Sequence, residues 1–173
     1  MENIKVLIDE NTLNKRISEI ADEISNQYKG EEIILIGVLK GAVYFAVDLS
    51  KKIKDVSVIM DFVKVSSYGI GARETSGTID FKLDISQNIE NKNVIIVEDI
   101  IDSGTTLKFL YEYLKSKNPK SLEICVLLDK PERRVHQIEV DYTGFEIENK
   151  FVVGFGLDAD EKYRNLTYIG YIE

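Results

Sequence analysis

Cysteine, proline, histidine and tryptophan are nearly missing from this chain of 173 residues, which holds one, two, one and none of them. A single cysteine, Cys125, makes neither an intramolecular disulfide nor a multi-thiolate metal site, so disulfide-stapled secreted domains and zinc ribbons are excluded. Its apolar neighbours Ile124 and Val126 place it on a buried strand and point to a reducing, cytoplasmic location. The lone His136 lies among polar residues and has no second imidazole to share a metal, so it is expected on the surface. No run of about 18 apolar residues occurs, and Met1 to Lys5 lacks a basic segment leading into an apolar one, so neither membrane spanning nor secretion is expected. Positive charge is also short. With 22 basic against 30 acidic side chains the net charge is −8, so binding nucleic acid or anionic lipid by bulk charge is disfavoured. Any anionic ligand has to be met by a local pocket.

What is present is core. Hydrophobic residues make up 44% of the chain and charged ones 30%, enough to fold as one domain spanning 1–173. Leu13, Ile17, Ile20, Ala21, Ile24 and Tyr28 recur at helical spacing, with Asn11 or Thr12 as N-cap and Gly30 as stop. Residues 33–38 and 93–97 are short apolar strands of the kind buried on both faces of a parallel sheet, and 122–128 reads as a further strand. Helices follow at about 42–53 and around Leu107, Leu110, Tyr111 and Leu114. An alternating strand covers 56–62, and Ser66 to Gly77, with three glycines, reads as a mobile loop that closes over a reactive centre through Ser67 and Tyr68. Short strands are expected near 78–83, 151–153 and 168–172. The order predicts an α/β fold, a doubly wound and mainly parallel sheet flanked by helices. Its ligands would bind beyond the carboxyl ends of the strands, just after Val38, Val97 and Leu128.

Val97-Glu98-Asp99-Ile100-Ile101-Asp102-Ser103-Gly104-Thr105-Thr106 stands at one of those ends. Ser103 to Thr106 opens a helix, whose first-turn N–H groups lack partners and whose dipole favours an anion. Gly104 permits close backbone approach and three hydroxyls can donate, so the turn suits a phosphate monoester. Glu98 and Asp99 would repel that phosphate. They either accept hydrogen bonds from sugar hydroxyls or neutralise Mg²⁺. The plainer reading has Asp102 and Ser103 capping the helix.

The whole string resembles the phosphoribosyl-diphosphate (PRPP) motif of the type I phosphoribosyltransferases. Leu39-Lys40-Gly41, Ser66-Ser67-Tyr68-Gly69, Leu127-Leu128-Asp129-Lys130-Pro131, and Phe151 through Asp158 to Tyr163-Arg164 are similar, in the same order, to the bacterial hypoxanthine or hypoxanthine-guanine members. The resemblance implies the type I fold with a small hood and a flexible active-site loop. It also implies a Mg²⁺-dependent transfer of the 5-phosphoribosyl group from PRPP to a 6-oxopurine, giving a nucleoside monophosphate and pyrophosphate in a homodimer or homotetramer.

By the same resemblance, Asp102 to Thr106 hold the 5′-phosphate, and Asp102 is also the general acid/base at purine N7. Lys40, Gly41 and Arg164 take the pyrophosphate, with the Leu39–Lys40 peptide cis in many members. Glu98 and Asp99 bind the ribose hydroxyls and Mg²⁺. Lys130 donates to the 6-oxo group, Phe151 stacks on the base, Val152 offers its main chain to the base edge, and Asp158 serves the exocyclic edge and a second Mg²⁺. Arg133 and Arg134 both lie where relatives carry a pyrophosphate-side arginine, and local spacing does not choose between them.

Two other classes place similar groups. A phospho-receiver domain also sets paired acids and a lysine at strand ends, but has no need of the Ser-Gly-Thr-Thr turn. A PRPP-fold regulator that binds RNA would need a local basic face against the net charge of −8.

Overall fold

A computed structural model describes residues 3–66 and 80–172. The chain order is β1 (Ile4–Ile8), α1 (Glu10–Gln27), β2 (Glu32–Val38), α2 (Val43–Lys52), β3 (Ser57–Ser66), β4 (Asp80–Leu83), β5 (Asn93–Ile101), α3 (Thr105–Lys115), β6 (Ser121–Asp129), a 3-10 turn (Pro131–Arg133), β7 (Tyr142–Glu146), β8 (Val152–Val153) and β9 (Ile169–Ile172). The expected loop residues Ser67 and Tyr68 lie outside the described residues.

Six strands form the main sheet in the order β4-β3-β2-β5-β6-β7. All its pairs are parallel except β3 with β4. Alternation along each central strand divides the core. Ile33 and Leu35 of β2, Ile95 and Val97 of β5 and Cys125 of β6 pack under Leu13, Ile17, Ile24, Phe45 and Leu49 of α1 and α2. Their neighbours Ile34, Ile36, Val94, Ile96, Ile124 and Val126 face Leu107, Leu110 and Leu114 of α3. The central strands are therefore apolar on both faces because helices cover both, which is the doubly wound arrangement.

The N-cap of α1 is Asp9, not Asn11 or Thr12. Its carboxylate accepts from the Thr12 N–H and Oγ1, each at 2.9 Å. One oxygen thus serves a first-turn amide that the helix leaves unpaired, and the helix begins a turn earlier than its apolar stripe. Beyond the carboxyl ends of the parallel strands sits a small antiparallel hood, β1-β9-β8, joining the two ends of the chain through pairs such as Ile4 with Ile172. Two of its features, β1 and the β1–β9 pairing, are not visible in local periodicity, and β7 likewise has no counterpart among the expected strands. Among the described residues no helix is long and apolar enough to cross a membrane.

Candidate active site

Strand β5 runs four residues further than its apolar stretch, through Ile101. Glu98 and Asp99 are therefore strand residues, held at fixed height at the end of the sheet. The carboxylate of Glu98 accepts from the Asp99 N–H at 3.1 Å, and that of Asp99 accepts from the Ile100 N–H at 2.7 Å. Burial raises both carboxyls above their usual range, Glu98 well above because the Asp99 charge adds to the cost of ionising it; hydrogen bonds from Glu98 and the Ile100 N–H, and to a smaller extent the Arg164 charge, pull Asp99 partly back. A cation or a set of hydroxyl donors would relieve this pair.

The turn that follows lines, with residues 98–107, a cleft of about 320 Å³. Neither Asp102 nor Ser103 stands at the cap position of α3, although Ser103 Oγ accepts from the Thr105 N–H at 3.3 Å. The cap position is Gly104, with φ 78° and no side-chain hydrogen bond. A positive φ of this size is easy for glycine and strained for other residues. Ser103 Oγ also donates to Thr105 Oγ1 at 3.0 Å. The α3 N-terminus faces the cleft with the Ser103 hydroxyl on its first amide, so the plain reading holds in part for Ser103, and the turn is still of a kind that can receive an anion.

Lys130 closes another side. Its side chain is only 9% exposed, and its ammonium lies 3.7 Å from Asp102 Oδ1, an oxygen that is buried and has no hydrogen-bond partner. Charge attraction links them, while both keep hydrogen-bonding capacity for a ligand.

A third wall comes from the loop after β2 and the strap after β8. The Leu39–Lys40 peptide is cis. Gly41 lies flat on Asp99, so a Cβ there would overlap the carboxylate, and Gly156 packs equally closely on the Gly41 carbonyl. Lys40 Nζ reaches Glu161 Oε2 at 2.9 Å, and Arg164 Nη2 approaches the same oxygen at 3.3 Å and Asp158 Oδ1 at 2.9 Å. The structure thus brings Lys40 and Arg164 onto one anion, the Glu161 carboxylate. The two cations in turn lower the pKa of Glu161.

Asp158 is engaged within the strap. Its oxygens take Arg164 and the Glu161 N–H at 2.9 Å, and among the described residues no three His, Cys, Asp or Glu side chains converge as a metal cage. Phe151 stands 58% exposed at the start of the hood, while Val152 is buried. The ring is not spent on the core.

Sequence reasoning missed Asp129 and left Arg133 and Arg134 undecided. Arg133 is exposed. Arg134 turns inward to pair with Asp129 and donates from Nε to the Asp102 carbonyl at 3.2 Å. His136, expected on the surface, is half-buried, and its N–H binds the Ser103 carbonyl at 3.0 Å.

The phosphoribosyl transferase domain model matches residues 7–160. The chain is 46% identical over 169 residues to the hypoxanthine-guanine phosphoribosyltransferase of Streptococcus pneumoniae R6, covering 98% of this chain and 93% of that protein. It is 48% identical to the hypoxanthine phosphoribosyltransferase of Buchnera aphidicola, covering 96% and 94%. A bifunctional TilS/HprT protein of Listeria monocytogenes is 46% identical, but the chain spans only 26% of its length. A crystal structure of a Bacillus anthracis hypoxanthine-guanine phosphoribosyltransferase with HEPES in its active site superposes with a TM-score of 0.92 at 48% identity, over 99% of this chain and all of that one. These matches leave no room for the phospho-receiver reading. Sequence and fold agree: the chain belongs to the phosphoribosyl transferase domain family.

Proposed function

We propose that this protein is a purine-salvage enzyme that transfers the 5-phosphoribosyl group of PRPP to hypoxanthine, and also to guanine, giving IMP or GMP and pyrophosphate. The observation that carries the reading is the Lys130–Asp102 pair, a buried ammonium 3.7 Å from an unbonded carboxylate oxygen beside the N-terminus of α3, where Gly104 stands at the cap position. It offers a donor for a 6-oxo group and an acceptor for a ring proton next to a phosphate cradle.

In this reading residues 102–106 hold the 5′-phosphate, Glu98 and Asp99 the ribose hydroxyls, and Lys40, Gly41 and Arg164 the pyrophosphate. Phe151 stacks on the base, with Val152 and Asp158 at its edge. As the C1′–oxygen bond to pyrophosphate breaks, purine N9 forms a bond to C1′ and the N7 proton passes to Asp102. Alignment and charge placement carry most of the rate in such a step.

Two adjacent carboxylates whose ionisation is disfavoured fit Mg²⁺, which binds through one or two carboxylates plus substrate oxygens. Glu98 and Asp99 would hold it, and its charge would offset that gathering on the leaving pyrophosphate. The engagement of Asp158 with Arg164 makes it a poorer ligand. The reading includes a cytoplasmic homodimer or homotetramer of single-domain chains. The test is nucleotide formation from PRPP and each purine base, with Mg²⁺ and with chelator, alongside light scattering for mass. Absence of nucleotide with every base would end the proposal.

A further inference from the structure

Four hydrogen bonds tie the segment after β6 to the backbone of the catalytic turn. Lys130 N–H donates to the Ile101 carbonyl, and the Val135 and His136 N–H groups both donate to the Ser103 carbonyl, each at 3.0 Å. The fourth comes from a side chain. Arg134 Nε donates to the Asp102 carbonyl at 3.2 Å while its Nη2 pairs with Asp129. Both partners of that ion pair are largely buried, with 18% and 19% of their side chains exposed. The aliphatic stem of Arg134 also lies against Gly104, where an added Cβ would come within 3.2 Å of Cδ.

We propose that Arg134, anchored by Asp129, is a positioning residue that holds the Asp102 carbonyl and the Gly104 turn in the geometry that receives the 5′-phosphate. The inference rests on the proposed phosphoribosyl transfer. It gives Arg134 a role other than direct contact with pyrophosphate, because two of its nitrogens are already committed to the protein. The planar guanidinium suits this role, since Nε and Nη2 point in fixed directions and one side chain spans an anchoring carboxylate and a backbone carbonyl. Lysine, with one nitrogen, keeps the charge for Asp129 but does not serve both. Asp129 also precedes Lys130, so the anchor sits beside the base-reading ammonium on the same strand end.

The decisive variants are Arg134→Lys, Asp129→Ala and Asp129→Asn, each checked by thermal melting and assayed with PRPP and hypoxanthine varied separately. Arg134→Lys is expected to melt near the wild type yet raise KM for PRPP by about tenfold, the scale of losing one hydrogen bond in a buried charged setting. Its KM for hypoxanthine should move much less. Asp129→Ala should reproduce the PRPP defect, and Asp129→Asn, which still accepts from Nη2, should restore most of it. A purely structural pair would instead lower the melting temperature and leave the ratio of the two KM values unchanged; that result, or wild-type kinetics in Arg134→Lys, overturns the inference. Wild-type protein that makes no nucleotide overturns the functional reading and the inference together.

Discussion

The ammonium of Lys130 lies 3.7 Å from Oδ1 of Asp102, at the carboxyl ends of neighbouring parallel strands. At that distance the two attract without a hydrogen bond of normal length. Each therefore retains capacity for a third molecule. In the proposed reaction a purine lying against both groups would have its oxo group met by a donor and its ring proton by an acceptor.

Asp102→Asn keeps the shape of the side chain and loses proton exchange. The expected result is a drop in kcat of roughly 10²–10⁴, typical of general acid/base loss, with little change in KM for PRPP or in melting temperature. Unchanged turnover in a verified variant would remove Asp102 from proton transfer.

Lys130→Met preserves much of the packing of a side chain that is 9% exposed while deleting the donor. An ammonium has donors and no acceptor, so it satisfies an oxo group and faces the amino group of adenine without a bond. Sites of this kind reject mismatched analogues by roughly 10⁴–10⁵. In the variant kcat/KM for hypoxanthine should fall and the preference over adenine should narrow by about tenfold or more. A fully active enzyme with an unchanged ratio would show that Lys130 does not read the base.

Gly41→Ala puts a methyl group into the Asp99 carboxylate. Relief requires movement of the loop or of Asp99, at a cost of about 1–3 kcal/mol for overpacking of this kind. KM for PRPP should rise, and a crystal structure should show the loop displaced from β5. Wild-type PRPP affinity would mean that the contact does not constrain the site.

Tyr28 and Tyr142 both donate to Glu123 Oε2, at 2.8 and 2.9 Å. Burial, with the Glu123 charge adding to it, pushes the Tyr28 hydroxyl up to about 12 from an ordinary 10.0. Between those values the folded chain keeps a proton that the unfolded chain has released, so stability is intact below pH 10 and falls as pH rises through the folded pKa, at up to about 1.4 kcal/mol per pH unit. Urea midpoints of the wild type should decline over this window, and Tyr28→Phe should flatten the decline. Equal slopes in the two proteins would assign the alkaline loss to other groups.

Local pattern was enough for the apolar strands of the main sheet, the helical stripes of α1 and α3 and the turn that opens α3, because each depends on side-chain period or on residue chemistry within about ten positions. The strands at 33–38 and 93–97 read as doubly covered because they carry no polar face, and they are. Residues 98–107 line a cleft at the end of the strand that carries the motif. Tertiary structure decided the rest. The hood joins Ile4 to Ile172, a pairing set by where the sheet carries the two ends of the chain and leaving only a weak alternation in β1, whose middle residues are exposed. Two adjacent arginines were equivalent in sequence until the 3-10 turn faced one outward and the other toward Asp129. The pairing of Lys40 and Arg164 on Glu161 likewise joins segments 121 residues apart. Periodicity reports which face a residue takes within its own element; which distant group it then meets is fixed only when the elements pack.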